Sequence, residues 1–126
     1  EFSSNIFIKA ENLQKIGAFK FRGAMNSILK LDDDKKNVLA WSSGNHAQAI
    51  ASACYLTNKN ATIVMPKDSP NAKLNGTKSW GANIVTFDRY SESREEIGTN
   101  LAKEIMVLDS YNNIDELIAL TIPANN

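Results

Sequence analysis

Two hydrophobic rhythms alternate along this chain. Short, dense apolar runs, the signature of buried strands, fall at residues 6–9, 38–41, 61–65, 82–87 and 105–108. Between them apolar residues return every three or four positions, the spacing of one helix face. Ala24, Ile28 and Leu31 form the first such series, after a loop over residues 17–23, and it stops at Asp32-Asp33-Asp34. Ala47, Ile50, Ala51, Cys54 and Tyr55 predict a helix over Asn45–Leu56 whose small residues can pack closely on a sheet. Ser69 is placed to cap a third helix, with Pro70 at its first position and Gly81 just past its end at Trp80. A fourth runs over residues 91–104, with Glu92, Glu95 and Glu96 near its positive end. Asn113 and Glu116 are spaced to cap a final short helix.

Strands alternating with helices predict βαβ units. The expected fold class is therefore α/β, a three-layer αβα arrangement with a mostly parallel sheet. Such sheets bind ligands beyond the carboxyl ends of their strands. Residues 42–46 occupy one of those ends. No repeat, low-complexity tract or linker interrupts the pattern, so residues 1–126 read as a single α/β domain.

Composition narrows the function classes. Lysine plus arginine equals aspartate plus glutamate at 14 each, which argues against nucleic-acid or membrane-surface binding. Cys54 is the only cysteine and cannot form an internal disulfide, which fits a reducing, cytoplasmic setting. Its apolar helical surroundings predict a buried, inert thiol. No stretch approaches the roughly 20 apolar residues of a membrane span, and no signal peptide is visible. The chain opens on Glu1-Phe2 rather than methionine, which reads as an excised piece of a longer protein.

Two strings carry candidate chemistry. In Gly17-Ala18-Phe19-Lys20-Phe21-Arg22-Gly23-Ala24 a lysine lies between two aromatic rings. Rings that shield an amine favour its neutral, nucleophilic form, whereas an ordinary loop lysine is simply solvated. Arg22 either adds like-charge repulsion or pairs with Glu11. In Ser42-Ser43-Gly44-Asn45-His46 a glycine allows close backbone approach, and the helix that follows offers free N–H donors. That string suits a small carboxylate or phosphate, and an ordinary capped turn is the competing reading. His46 is the only histidine, so neither a multi-histidine nor a cysteine-rich metal site is available.

The segment from Glu11 to Ala24 resembles the cofactor-lysine motif of the pyridoxal-phosphate enzymes of the tryptophan-synthase β fold type (fold-type II). It is most similar to the serine racemase and serine/threonine dehydratase family. Ser42-Ser43-Gly44-Asn45-His46-Ala47-Gln48 is similar to that family's substrate-carboxylate loop, and its double serine leans toward the racemase and hydroxyaspartate-dehydratase branch. Residues 61–70, 80–85 and 88–96 add support, so the resemblance covers roughly residues 6–108, while residues 109–126 diverge.

The resemblance implies the small domain of such an enzyme and pyridoxal phosphate as cofactor. Lys20 would form the internal Schiff base and act as base on one face of the substrate Cα. Ser43 would be the acid or base on the opposite face. Ser42, Gly44, Asn45 and His46 would hold the substrate carboxylate, Asn45 would also meet the cofactor's 3′-oxygen, and Phe19 would lie beside its ring. The parent would be a homodimer acting on serine, threonine or hydroxyaspartate, with a divalent cation bound by later residues. The family's phosphate-holding glycine-rich loop has no counterpart here, because none of the six glycines is adjacent to another. The chain alone therefore reads as an incomplete catalytic unit. The alternatives are a non-catalytic carboxylate- or phosphate-binding module and an enzyme-derived interaction domain.

Overall fold

The computed structural model describes residues 5–111, 118 and 119, with side chains through residue 104. A 3-10 turn at Glu11–Leu13 precedes α1 (Lys20–Leu29), β1 (Asn37–Trp41), α2 (Asn45–Leu56), β2 (Asn60–Pro66), α3 (Asn71–Ser79), β3 (Asn83–Phe87), α4 (Arg94–Tyr111) and β4 (Ile118–Ala119). The sheet has the order β3-β2-β1-β4. Every pairing in it is parallel, with Trp41 opposite Val64 and Val64 opposite Val85. This is the α/β architecture that the alternating rhythm predicts.

Successive strand side chains point to opposite faces, and each face has its own cover. Val38, Ala40, Ile63 and Met65 join α1 and α2 in the larger core. Leu39 and Val64 turn the other way, with Phe87, against Ile97 and Leu101 of α4. Ile28, Ile50 and Ile63 are fully buried, each contributing about 1.5–3 kcal/mol from apolar burial. Ala47, Ala49, Ala51 and Ala53 let α2 press against both the sheet and its neighbouring helices. Gly76 does the same for α3, since a Cβ there would lie 2.8 Å from Gln48 Oε1.

Three expectations fail for identifiable reasons. Residues 6–9 form no strand, and Phe7 and Ile8 are 91% and 86% exposed. β-favouring residues make a strand only where a ladder partner exists, and the described sheet offers them none. Residues 105–108 continue α4 instead of starting a strand. A four-residue apolar run has the same appearance in a buried strand and in a helix. The loop expected over residues 17–23 ends early, because α1 already begins at Lys20 and runs through Gly23. A helical glycine costs only about 1 kcal/mol against alanine, which burial of Phe21, Ala24 and Ile28 on one face outweighs.

Smaller shifts concern caps. Pro70, not Ser69, is the N-cap of α3, and its first turn has no side-chain cap. Ser69 is buried instead, with its hydroxyl unpartnered. Gly81 follows the Trp80 C-cap at φ +77°, the left-handed backbone expected there. The capping pair expected at Asn113 and Glu116 lies outside the described residues. Cys54 is buried, and burial pushes its thiol up to about 12. Among the described residues no helix is long and apolar enough to cross a membrane.

Candidate active site

The loop after β1 lies at the carboxyl end of the sheet. Ser42 N–H still donates to Val64 O at 3.1 Å, so β1 hands the chain into the loop in register. The Ser42 hydroxyl then accepts from Gly44 N–H at 3.3 Å, turning the backbone toward α2. Gly44 is the N-cap of α2 and no side chain caps the helix, so its first N–H groups are not taken by a serine or asparagine. An ordinary capped turn is thus not what these residues form. A Cβ on Gly44 would meet nothing within 4 Å, leaving the space over the loop open to a ligand.

Asn45 is exposed, and Lys73 Nζ from α3 donates to its Oδ1 at 2.6 Å. Lysine can only donate, so the bond assigns the carbonyl oxygen to Lys73 and leaves the amide NH2 available as a donor. His46 is buried at 8% exposure. Desolvation, and secondarily the Lys20 charge, hold its imidazole below the usual histidine value of 6.5.

That depression has a consequence for pH. A histidine harder to protonate folded than unfolded leaves the unfolded chain binding more protons, so stability falls as pH drops below 6.5. Urea midpoints for the full-length protein should be lower at pH about 5.5 than at about 7.5, and His46→Gln should shrink that difference. An equal difference in both proteins would assign the effect elsewhere.

Lys20 is half-buried at the first position of α1, and Arg22 donates to Glu11 Oε1 at 2.7 Å. The pairing alternative for Arg22 is therefore the one found, and it ties α1 to the preceding 3-10 turn. The two rings do not enclose the amine. Phe21 turns into the core, while Phe19 is 62% exposed, because residues two apart on a helix project about 200° apart, onto opposite sides. Phe19, Lys20, Gly23, Ala24 and His46 line one cavity of about 180 Å³. The first turns of α1 and α2 thus face each other across it, bringing the amine, the imidazole and two positive helix ends together.

Ser42 and Ser43 line a different cavity, of about 400 Å³, with Trp41, Phe87, Arg89, Arg94 and Glu95 among its walls. Lys20 and Ser43 thus line two separate cavities. The arginines were not among the residues singled out from the sequence. Their signal was positional, since the loop after β3 is also a carboxyl strand end. Arg89 donates to Asp68 Oδ1 at 2.9 Å and Arg94 to Glu95 Oε1 at 2.8 Å, so both guanidinium groups are paired with carboxylates. Among the described residues no group of three or more His, Cys, Asp or Glu could hold a metal.

An amine lining a cavity otherwise walled by Phe19, Gly23, Ala24 and His46 is the attachment group an aldehyde cofactor requires, so Lys20 and its surroundings fit the aldehyde end of pyridoxal phosphate. The model of the pyridoxal-phosphate dependent enzyme family matches residues 1–121. An L-threo-3-hydroxyaspartate ammonia-lyase of Saccharomyces cerevisiae is 55% identical over 103 residues, which are 80% of this chain and 32% of that one. A serine racemase of Schizosaccharomyces pombe is 48% identical over 83% of this chain and 32% of its own length. The solved structure of maize serine racemase superposes with a TM-score of 0.72 at 45% identity, covering 76% of this chain and 30% of that one. The chain thus spans about a third of the length of these relatives. A match over nearly every residue leaves one conclusion: this chain belongs to the pyridoxal-phosphate dependent enzyme family.

Proposed function

We propose that this chain is one domain of an enzyme that removes the α-proton of a β-hydroxy amino acid. Racemisation or β-elimination with deamination then follows. The observation that carries the reading is the placement of Lys20 and His46 on facing first turns, beside the cavity of Ser42 and Ser43. Pyridoxal phosphate, when bound, supplies the electron sink for the substrate's Cα.

The roles follow from position. Lys20 holds the cofactor aldehyde and takes or returns the proton on one face of Cα. Ser43 does so on the other face, an arrangement that requires the remainder of the protein to bring the two cavities together around the substrate. The open N-terminus of α2, with Ser42, Gly44, Asn45 and His46, holds the substrate carboxylate through backbone N–H and side-chain donors. The Asn45 amide NH2, left over because Lys73 takes its oxygen, would donate to the cofactor's 3′-oxygen. Phe19, exposed and lining the Lys20 cavity, would help to hold the cofactor ring. The substrate's β-substituent enters the larger cavity, between Trp41 and the first turn of α4. Serine, threonine and hydroxyaspartate all carry the β-hydroxyl that this reading requires.

Proton removal is common to both outcomes and is the step to measure. Full-length protein loaded with pyridoxal phosphate and given L-serine or L-threo-3-hydroxyaspartate in deuterated water should place deuterium at Cα of recovered substrate. It should also release ammonia or form the other enantiomer. Cofactor loading without any exchange at Cα would sink the reading.

A further inference from the structure

Gly98 occupies the interior of α4, where glycine costs about 1 kcal/mol relative to alanine and calls for a packing reason. The reason is Trp41. A Cβ on Gly98 would lie 2.9 Å from Trp41 Cζ3 and 3.1 Å from Cε3. Separations under 3 Å are not tolerated, so any side chain at position 98 must move either the indole or the helix. Trp41 ends β1, immediately before Ser42, and packs with Leu39, Val64 and Phe87 under α4. It also lines the cavity of about 400 Å³ that holds Ser42, Ser43, Arg89 and Arg94.

One residue therefore has two roles. Its ring supports α4 through the gap left by Gly98. It also walls the cavity whose rim the first turn of α4 supplies through Arg94 and Glu95. The distance between the strand ends and that rim is set where the indole meets the glycine. We infer that Trp41, seated on Gly98, is a specificity-determining residue that fixes how large a β-substituent the cavity admits. The inference rests on the proposed function, because it takes this cavity as the side-chain subsite.

The test is a cycle of Gly98→Ala, Trp41→Phe and the double variant in full-length, cofactor-loaded protein. Steady-state kinetics are read with L-serine and L-threo-3-hydroxyaspartate. Gly98→Ala displaces the indole or α4, both of which wall the cavity, and should raise KM for hydroxyaspartate about tenfold, with KM for serine changing less than about threefold, the range one misplaced group commands in a shaped pocket. Trp41→Phe in the Gly98→Ala background frees the space and should bring KM for hydroxyaspartate back to within about threefold of the parent. Equal rises for both substrates, or no recovery in the double variant, would overturn the assignment.

If the parent protein turns over neither substrate, the proposed function fails and Trp41 is judged by binding alone. The indole N–H resonance of Trp41 should then shift when succinate, a simple dicarboxylate, is added, and Gly98→Ala should weaken that response about tenfold. An indole that does not respond to succinate overturns the inference.

Discussion

Lys20→Ala in the full-length protein is expected to abolish the cofactor's absorption band near the visible edge and to lower kcat by at least about 10³-fold. The band reports attachment of the cofactor's aldehyde to an amine. Lys20 is the lysine that lines the cavity between the first turns of α1 and α2. On the proposed roles, the loss in kcat combines a missing attachment point with a missing proton carrier, so it should exceed what either role costs alone. Unfolding is not a competing explanation. Lys20 is only half-buried, sits at the first position of a helix and makes way for the best helix former. Unchanged far-ultraviolet circular dichroism should accompany the loss. A band that persists in Lys20→Ala would remove this residue from its assigned role.

Ser43→Ala should produce a different pattern. A proton carrier on one face of Cα is worth about 10²- to 10⁴-fold, so exchange at Cα should fall by that factor for one enantiomer of serine. Exchange for the other enantiomer, which the proposed roles assign to Lys20, should stay within about threefold. Racemisation should fall with the slower face, whereas elimination started from the face proposed for Lys20 should persist. The exposed Ser43 hydroxyl has no buried partner to lose, so stability should hold. Equal loss for both enantiomers would mean that Ser43 binds substrate and carries no proton.

Much of the fold could be read from the chain, for reasons that differ by element. α2 was expected over Asn45–Leu56 and is found there, because glycine precedes it and its apolar residues keep one continuous periodicity. β1, β2 and β3 agree to within a residue at each end, since each is a compact apolar run flanked by turn residues. Failure came where local signal and long-range partner part ways. Ile6, Phe7 and Ile8 have strand composition without a strand to pair with. Ile105 to Leu108 carry an apolar run that belongs to a helix, and a periodicity cannot separate the two at that length.

The candidate site divides in the same way. The strings around Lys20 and at residues 42–46 stand out because their residue types are unusual together. That Lys20 opens a helix, and that its amine meets His46 across a cavity, follows from the packing of α1 on α2 and is invisible along the chain. Trp41, Arg89 and Arg94 were passed over because each has an ordinary neighbourhood in sequence. Only the meeting of the carboxyl end of β1, the loop after β3 and the start of α4 gives them a common cavity.

The burial of Cys54 has a practical corollary. A thiol sealed in the core at the α2–sheet contact, with its ionisation pushed up to about 12, is silent toward alkylating reagents while the domain stays closed. Within these residues it is the sole sulfhydryl, so the rate at which it is labelled is a clock for transient opening of this core. Cofactor or substrate that tightens the domain would slow that clock, and a variant that loosens it would speed it up, with no turnover required to read the hand.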